Sequence, residues 1–299
     1  MQDTNKYHKS HSEIFNEAYL KVSPIHELWY ADYGNPEGTP VIVLHGGPGA
    51  GCKHDDIKFF DPAFWRVILL DQRGAKRSKP FGELKDNTTQ DLINDLEILR
   101  KSLSIDKWLV FGGSWGSALA VAYGGAYPER VLGFILRGVF LAEKSENSNI
   151  WYGMRDTFPD IWQTFNDFIS KDEQSDLINA YYRLVMSPDP SISVPAARSF
   201  FQYDIICSFL KLSPEQLKLF MENDTLVLGV SRTFIHYSAN DFFMKEGQLI
   251  DDIKKINHLP LIIINGRYDT ITRAKSAYKL HNLWPRRVGR HLILILQIE

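Results

Sequence analysis

The feature that most constrains the fold is an alternation of short apolar runs with helix-like stretches through the first half of the chain. Four runs rich in aliphatic and aromatic residues occupy residues 41–44, 67–70, 108–111 and 132–136. Each run is apolar on both faces, as expected of strands buried in a parallel sheet. Residues 88–99 begin with a threonine suited to an N-cap and continue with apolar residues at helical spacing. The alternation predicts a doubly wound, mostly parallel α/β sheet.

The middle of the chain has a different character. From about residue 141 to residue 247, aromatic-rich helical segments dominate and no strong strand pattern occurs, whereas strand-like sequence resumes at 261–264. This predicts one α/β core built from residues 1–140 and 248–299 and interrupted by a helical cap, or lid, at 141–247. Ligand sites in such sheets form at the carboxyl ends of the strands, so we expect the lid to lie over that edge.

Composition and charge exclude several classes of protein. The 299 residues carry a formal net charge of −2 without a block of like charge, which argues against a nucleic-acid partner. The two cysteines are far apart and no His, Cys, Asp or Glu cluster has ligand spacing, so we expect no disulfide framework, metal or other cofactor. The polar first residues and the lack of an apolar run of about 18 residues predict a cytoplasmic protein without a membrane partner. Nothing in the sequence indicates an oligomeric state.

The strongest chemical motif is Gly-Gly-Ser-Trp-Gly at residues 112–116, between the third apolar run and a helix-like segment. In this setting Gly-x-Ser-x-Gly is typical of a nucleophile elbow, a tight and strained turn that presents the serine at the end of a strand. The motif therefore predicts that Ser114 is a catalytic nucleophile. A glycine-rich turn that only packs a helix on a strand is the alternative.

A second glycine-rich segment, His-Gly-Gly-Pro-Gly at residues 45–49, follows the first apolar run and is expected beside the elbow. Backbone N–H groups of Gly47 and Trp115 are predicted to form an oxyanion hole for an acyl-transfer intermediate. A flexible strand-to-helix loop is the alternative. His45 precedes Ser114, contrary to the Ser…Asp…His order of this kind of site, so we interpret His45 as structural.

Four motifs in order resemble the proline iminopeptidases, which are prolyl aminopeptidases of the α/β-hydrolase fold. They are residues 45–49 (HGGPG), 71–74 (DQRG), 112–116 (GGSWG) and 266–269 (GRYD). The likeness runs from about residue 24 to residue 285. It implies a serine aminopeptidase that releases an N-terminal residue, preferably proline, from small peptides with a free N-terminus through an acyl-enzyme. It also implies that Asp269 is the triad acid, a residue that could equally be a turn former without the resemblance.

The chain departs from the family pattern at the base of the triad. Family members carry that histidine in an Ala-Gly-His-Ser segment after a strand, and no such segment occurs in residues 286–299. His291 precedes the remaining apolar run at 292–296 instead of following it, so we predict that His291 is not the base. His281 lies where family members carry a non-catalytic histidine. The C-terminal end is thus atypical, through truncation, frameshift or true absence of the base, and the activity of this chain is left open.

The lid carries a second departure. Family members bind the substrate amine with two glutamates. Asp204 matches the first and is predicted to bind the amine, although a solvated surface acid is the alternative. Phe234 replaces the second glutamate. The lost charge supports a second hypothesis, an esterase or amidase of the same fold acting on uncharged substrates, and the missing base supports a third, a catalytically defective member.

Overall fold

The computed structural model describes residues 14–284 and the backbone of residues 291–296. In this part of the chain eight strands form one mixed sheet, ordered β1-β2-β4-β3-β5-β6-β7-β8. The strands are β1 (Ile14–Lys21), β2 (Glu27–Gly34), β3 (Thr39–Leu44), β4 (Trp65–Leu70), β5 (Trp108–Ser114), β6 (Val131–Val139), β7 (Leu261–Gly266) and β8 (His291–Leu296).

Ten α-helices cover the sheet or lie between its strands in the described ranges. They are α1 (Thr89–Ser102), α2 (Trp115–Ala126), α3 (Lys144–Trp151), α4 (Pro159–Asp167), α5 (Leu177–Val185), α6 (Pro190–Ser208), α7 (Pro214–Met221), α8 (Asp224–Ala239), α9 (Gln248–Ile256) and α10 (Ala274–Leu283). None of the described helices has the length and hydropathy needed to cross a membrane.

The predicted parallel sheet is confirmed from β3 to β8. Strands β4, β3, β5, β6, β7 and β8 pair in parallel with their neighbours in the sheet. Every apolar run predicted as a strand lies in one of these strands, and the side chains of residues 41–44 are at most 2% exposed. Burial on both faces explains why these runs contain little polar sequence.

The predicted helix at 88–99 is α1, and its first turn is capped as the sequence indicates. Thr88 precedes the helix, and its side chain accepts a hydrogen bond from the backbone N–H of Asp91. The Asp91 carboxylate in turn accepts from the Thr88 N–H at 3.0 Å. This reciprocal capping box satisfies N–H groups that have no acceptor inside the helix.

Strands β1 and β2 are additions that our sequence analysis did not predict. They pair antiparallel with each other, and β2 pairs antiparallel with β4. Strand β1 alternates exposed and partly buried residues, whereas β2 carries a four-residue apolar run at residues 28–31 (LWYA) that our sequence analysis did not interpret as a strand. Pairing with β1 on one side and β4 on the other places β2 inside the sheet, where six consecutive residues are buried.

Between β6 and β7 the described chain forms helices and no strand. Its interior is aromatic: the ring of Phe165 stacks on Tyr203 at 4.1 Å and on Tyr181 at 4.6 Å between centroids. The side chains of Tyr237 and Phe242 contact the ring of Trp115 at centroid distances of 5.0 and 5.6 Å. The helical segment therefore packs directly on Trp115, the residue that follows Ser114. We propose that this segment forms a lid over the α/β core.

Candidate active site

Ser114 lies at a sharp turn between a strand and a helix. It ends β5, α2 begins at the next residue, and its backbone angles are φ 54° and ψ −126°. A positive φ is uncommon for a residue with a Cβ and is a form of strain found at functional sites. A Cβ added at Gly112 would lie 2.3 Å from the carbonyl oxygen of Gly116, and one added at Gly116 would lie 2.0 Å from that of Leu44. The two outer glycines of the motif are therefore required by close backbone contacts.

Two polar side chains that sequence reasoning did not single out hold this turn in place. The Ser117 hydroxyl donates to the carbonyl oxygen of Ser114 at 2.7 Å and accepts from the backbone N–H of Phe140 at 2.9 Å. Gln72 accepts from the indole N–H of Trp115 at 2.9 Å. The position of Gln72 in the Asp-Gln-Arg-Gly motif was a signal for its role, whereas Ser117 stood outside every motif.

The two predicted oxyanion-hole residues lie together beside Ser114. Gly47, at φ +103°, and Trp115 both line the same cavity as Ser114. A Cβ added at Gly46 would lie 3.7 Å from Ser114 Oγ, which shows how closely the glycine-rich loop approaches the serine. Because Trp115 is the first residue of α2, its N–H has no acceptor within the helix. The N-terminus of α2 adds partial positive charge beside Ser114.

His45 is hydrogen-bonded through both ring nitrogens. Nδ1 donates to the carbonyl oxygen of Gly46 at 2.8 Å, and Nε2 accepts from the backbone N–H of Gln72 at 3.0 Å. Burial lowers the pKa of His45 and so favours the neutral ring that these two bonds require. These contacts support a structural role for His45, since neither nitrogen is free to take a proton from Ser114.

Asp269 lies in the loop after β7 and is hydrogen-bonded within its own turn. Its Oδ1 accepts from the N–H groups of Ile271 and Thr272, at 3.1 and 2.7 Å. Its Oδ2 accepts from the hydroxyl of Thr272 at 2.6 Å. No histidine within residues 14–284 hydrogen-bonds to Asp269 or to Ser114. Thr272 is one of the residues that line the cavity containing Ser114, and Asp269 is not.

The two histidines that follow Asp269 lie elsewhere. His291 is the first residue of β8 and pairs with Leu261, the first residue of β7. That register puts its backbone at the edge of the sheet opposite to the one where β7 leads into Asp269. His281 is in α10, where its ring lies 6.3 Å from that of Tyr278.

A cavity of about 360 Å³ lies between the carboxyl edge of the sheet and the helices α3, α6, α7 and α8. Asp204, on α6, lines it and has no hydrogen-bond partner among the described residues. Burial raises the pKa of Asp204 from its ordinary value to about 6. Phe234, on α8, also lines the cavity and packs on Phe200 at a centroid distance of 5.1 Å. The wall that these helices form is therefore largely apolar and carries one carboxyl group without a hydrogen-bond partner among the described residues.

Of the five residues predicted for the site, four share this cavity: Gly47, Ser114, Trp115 and Asp204. Asp269 is hydrogen-bonded to Thr272, which lines the cavity. Among the residues whose side chains are described, no group of three or more His, Cys, Asp or Glu could hold a metal ion.

Comparisons with known proteins agree with this architecture. The family model for the alpha/beta hydrolase fold matches residues 39–293. The proline iminopeptidase of Arabidopsis thaliana is 42% identical over 278 residues, which cover 91% of this chain and 72% of that protein. The proline iminopeptidase of Neisseria meningitidis is 40% identical over 276 residues, covering 91% of this chain and 87% of that protein.

Two solved structures share the fold at low sequence identity. The crystal structure of the proline iminopeptidase of Mycobacterium smegmatis aligns with a TM-score of 0.60 and 18% identity, covering 94% of this chain and 90% of that one. An esterase from Exiguobacterium antarcticum aligns with a TM-score of 0.61 and 19% identity, covering 91% and 87%. At such identities the likeness supports the fold alone.

Proposed function

Since this chain belongs to the proline iminopeptidase family of α/β hydrolases, we propose that it is a serine aminopeptidase that releases an N-terminal residue, preferably proline, from small peptides. The observation that carries the proposal is the cavity that Ser114 and Asp204 share. Ser114 is a strained serine on the core wall, and Asp204 is an unpaired carboxyl on the lid wall. An aminopeptidase needs a nucleophile for the first peptide bond and an anion for the free amine.

In the proposed reaction Ser114 Oγ attacks the carbonyl carbon of the first peptide bond while a base takes its proton. The negative charge that develops on the carbonyl oxygen is stabilised by the N–H groups of Gly47 and Trp115, each worth roughly 3–4 kcal/mol in sites of this kind. Collapse of the intermediate breaks the C–N bond, the leaving amine takes up the proton, and water then hydrolyses the ester on Ser114.

Attack by Ser114 requires a group that accepts its proton. Asp269 accepts hydrogen bonds from Thr272, and no histidine within residues 14–284 hydrogen-bonds to Asp269 or to Ser114. Loss of a triad member costs roughly 10⁴–10⁶ in kcat. We therefore propose that this chain hydrolyses peptides slowly at most.

Two other candidates are each favoured by one observation. The bond from Thr272 to Asp269 favours a catalytically defective member that binds peptides without cleaving them. The apolar lid wall at Phe234, which is 7% exposed, favours an esterase or amidase that acts on uncharged substrates.

One set of assays separates the three candidates. A fluorophosphonate probe should label the protein at Ser114 and should fail to label Ser114→Ala. Prolyl peptides with a free amine should be hydrolysed faster than their N-acetylated forms and faster than p-nitrophenyl esters. Faster hydrolysis of the esters would favour the esterase, and the absence of labelling together with peptide binding would favour the defective member.

A further inference from the structure

Charges in the cavity are separated between its two walls. The lid wall contributes Asp204, whereas the core wall contributes Lys53 and Lys76, which follow β3 and β4 respectively. Both lysines are exposed at the cavity surface. Among the described residues, neither ammonium group forms an ion pair with a carboxylate. A ligand that spans this cavity therefore meets an acid at one end and two amines at the other.

The side chain of Lys76 is held in place by its backbone conformation, by packing and by a hydrogen bond. Its backbone has φ +38°, a conformation that disfavours residues with a side chain. Its stem lies flat against Gly51, because a Cβ added at Gly51 would be 2.5 Å from Lys76 Cβ and 2.8 Å from its Cδ. Its Nζ donates to the carbonyl oxygen of Cys52 at 2.7 Å. This bond fixes the ammonium at the cavity and leaves its other two N–H groups available.

The acids near these lysines are already engaged. Asp71 is ion-paired with Arg77 at 2.6 Å and also accepts from the backbone N–H of Cys52 at 2.7 Å. Asp56 accepts from the backbone N–H of Lys53 at 2.8 Å. Neither lysine is therefore ion-paired with these acids, and an anionic ligand group would find two donors there.

We propose that Lys53 and Lys76 bind the terminal carboxylate of a short peptide, which makes free dipeptides and tripeptides the preferred substrates of this site. The inference rests on the proposed function, because it takes Asp204 as the partner of the substrate amine. Opposite charges on opposite walls orient a zwitterionic peptide across Ser114. A cavity of about 360 Å³ lies near the lower end of the range for ligand pockets and suits a ligand of this size.

The test compares Pro-Ala with Pro-Ala amide, which differ only in the terminal charge. We expect kcat/KM for the free acid to exceed that for the amide by about three- to tenfold, because partly exposed charge pairs are weaker than buried ones. Lys76→Gly, which suits the positive φ, and Lys53→Met should each lower that ratio toward one. Lys76→Arg should preserve it. Lys107→Met, on an exposed lysine at the opposite edge of the sheet, is the matched control and should leave the ratio unchanged.

Calorimetric binding of both peptides to Ser114→Ala separates this inference from the proposed function. If neither peptide is hydrolysed by the native protein, the proposed function fails, yet tighter binding of the acid that is lost in a Ser114→Ala/Lys76→Gly double variant still supports the carboxylate site. Hydrolysis of acid and amide with equal kcat/KM would overturn the inference and leave the proposed function standing. Equal binding, or no binding, would also overturn it. Displacement of the dipeptide by inorganic phosphate at the same concentration would identify a general anion site and reject the peptide assignment.

Discussion

At the scale of single residues, Ser114 combines a proposed chemical role with backbone strain. A serine at φ 54° and ψ −126° carries a cost of roughly 1–3 kcal/mol that glycine avoids. We expect Ser114→Ala to abolish hydrolysis with little change in stability, since alanine keeps the Cβ. Ser114→Gly should also abolish hydrolysis but raise the free energy of unfolding by about 1 kcal/mol, after the entropic cost of glycine. Urea unfolding and peptide turnover measure the two effects, and unchanged turnover in the alanine variant would reject Ser114 as nucleophile.

Asp204 is the residue proposed to recognise the substrate amine. A charge-assisted hydrogen bond contributes about 1.5–3 kcal/mol, so Asp204→Asn should lower kcat/KM for a free-amine peptide by roughly ten- to a hundredfold. An N-acetylated analogue lacks the charge and should be affected little. Because the pKa of Asp204 is about 6, kcat/KM for the free-amine peptide should also fall as pH drops below 6. Equal losses for both substrates would show that Asp204 is structural.

The same carboxyl group predicts an opposite effect on stability. Burial raises its pKa from 3.8 to about 6, so the folded state binds the proton more tightly than the unfolded state does. The resulting stabilisation is present below pH 4 and is lost as pH rises through 6. Asp204→Asn removes the buried charge and should raise the free energy of unfolding at pH 8 by roughly 1–3 kcal/mol, with little change at pH 4. Urea titrations at the two pH values check this, and a loss of stability at pH 8 would contradict it.

At the scale of elements, local sequence was sufficient for the parallel strands and for the start of α1, but not for β1 and β2. The apolar runs of β3 to β7 and the capped start of α1 are patterns that each segment carries by itself. Strand β2 pairs with β4, and strand β1 pairs with β2; these contacts were not predicted from local pattern. The hydrogen bonds of Ser117 and Gln72 likewise join the elbow to loops distant in the chain, which explains why the nucleophile was predictable and its supports were less so.

Two glycines at strand ends or helix starts differ in how much room a side chain would have. A Cβ at Gly116 would meet the backbone oxygen of Leu44 at 2.0 Å, and a backbone atom cannot move without shifting β3. We expect Gly116→Ala to destabilise the protein by about 3 kcal/mol or more, as overpacking against a rigid neighbour does. Gly266→Ala is the control, because the nearest atom to its Cβ would be 3.5 Å away, and it should change stability by less than about 1 kcal/mol. Similar midpoints of urea unfolding for the two variants would contradict the close contact.

At the scale of the whole molecule, the parallel sheet gathers the proposed site at one edge. Ser114 ends β5, the glycine-rich loop follows β3, and Asp269 follows β7, so chain direction alone brings them together. Ser114 pairs with Val139, and Val139 in turn donates from its N–H to Asn265 at 2.8 Å, which links the ends of β5, β6 and β7. Chain direction does not identify the base that would take the proton from Ser114. The sequence shows only that the family's Ala-Gly-His-Ser segment is missing from residues 286–299.

The sheet also predicts the role of His291. Its pairing with Leu261 starts β8 at the amino edge, and five further residues at about 3.3 Å each separate that edge from the level of Gly266, roughly 16 Å away. A triad base must come within about 2.6–3.2 Å of both Ser114 Oγ and Asp269. We therefore expect His291→Ala to leave any measured rate within about threefold, far from the roughly 10⁴-fold loss expected of a true base. Initial rates of peptide hydrolysis give the comparison, with circular dichroism to verify the fold. A collapse of activity in a folded His291→Ala protein would mean that the chain assembles its triad by another route and would reject the register-based assignment.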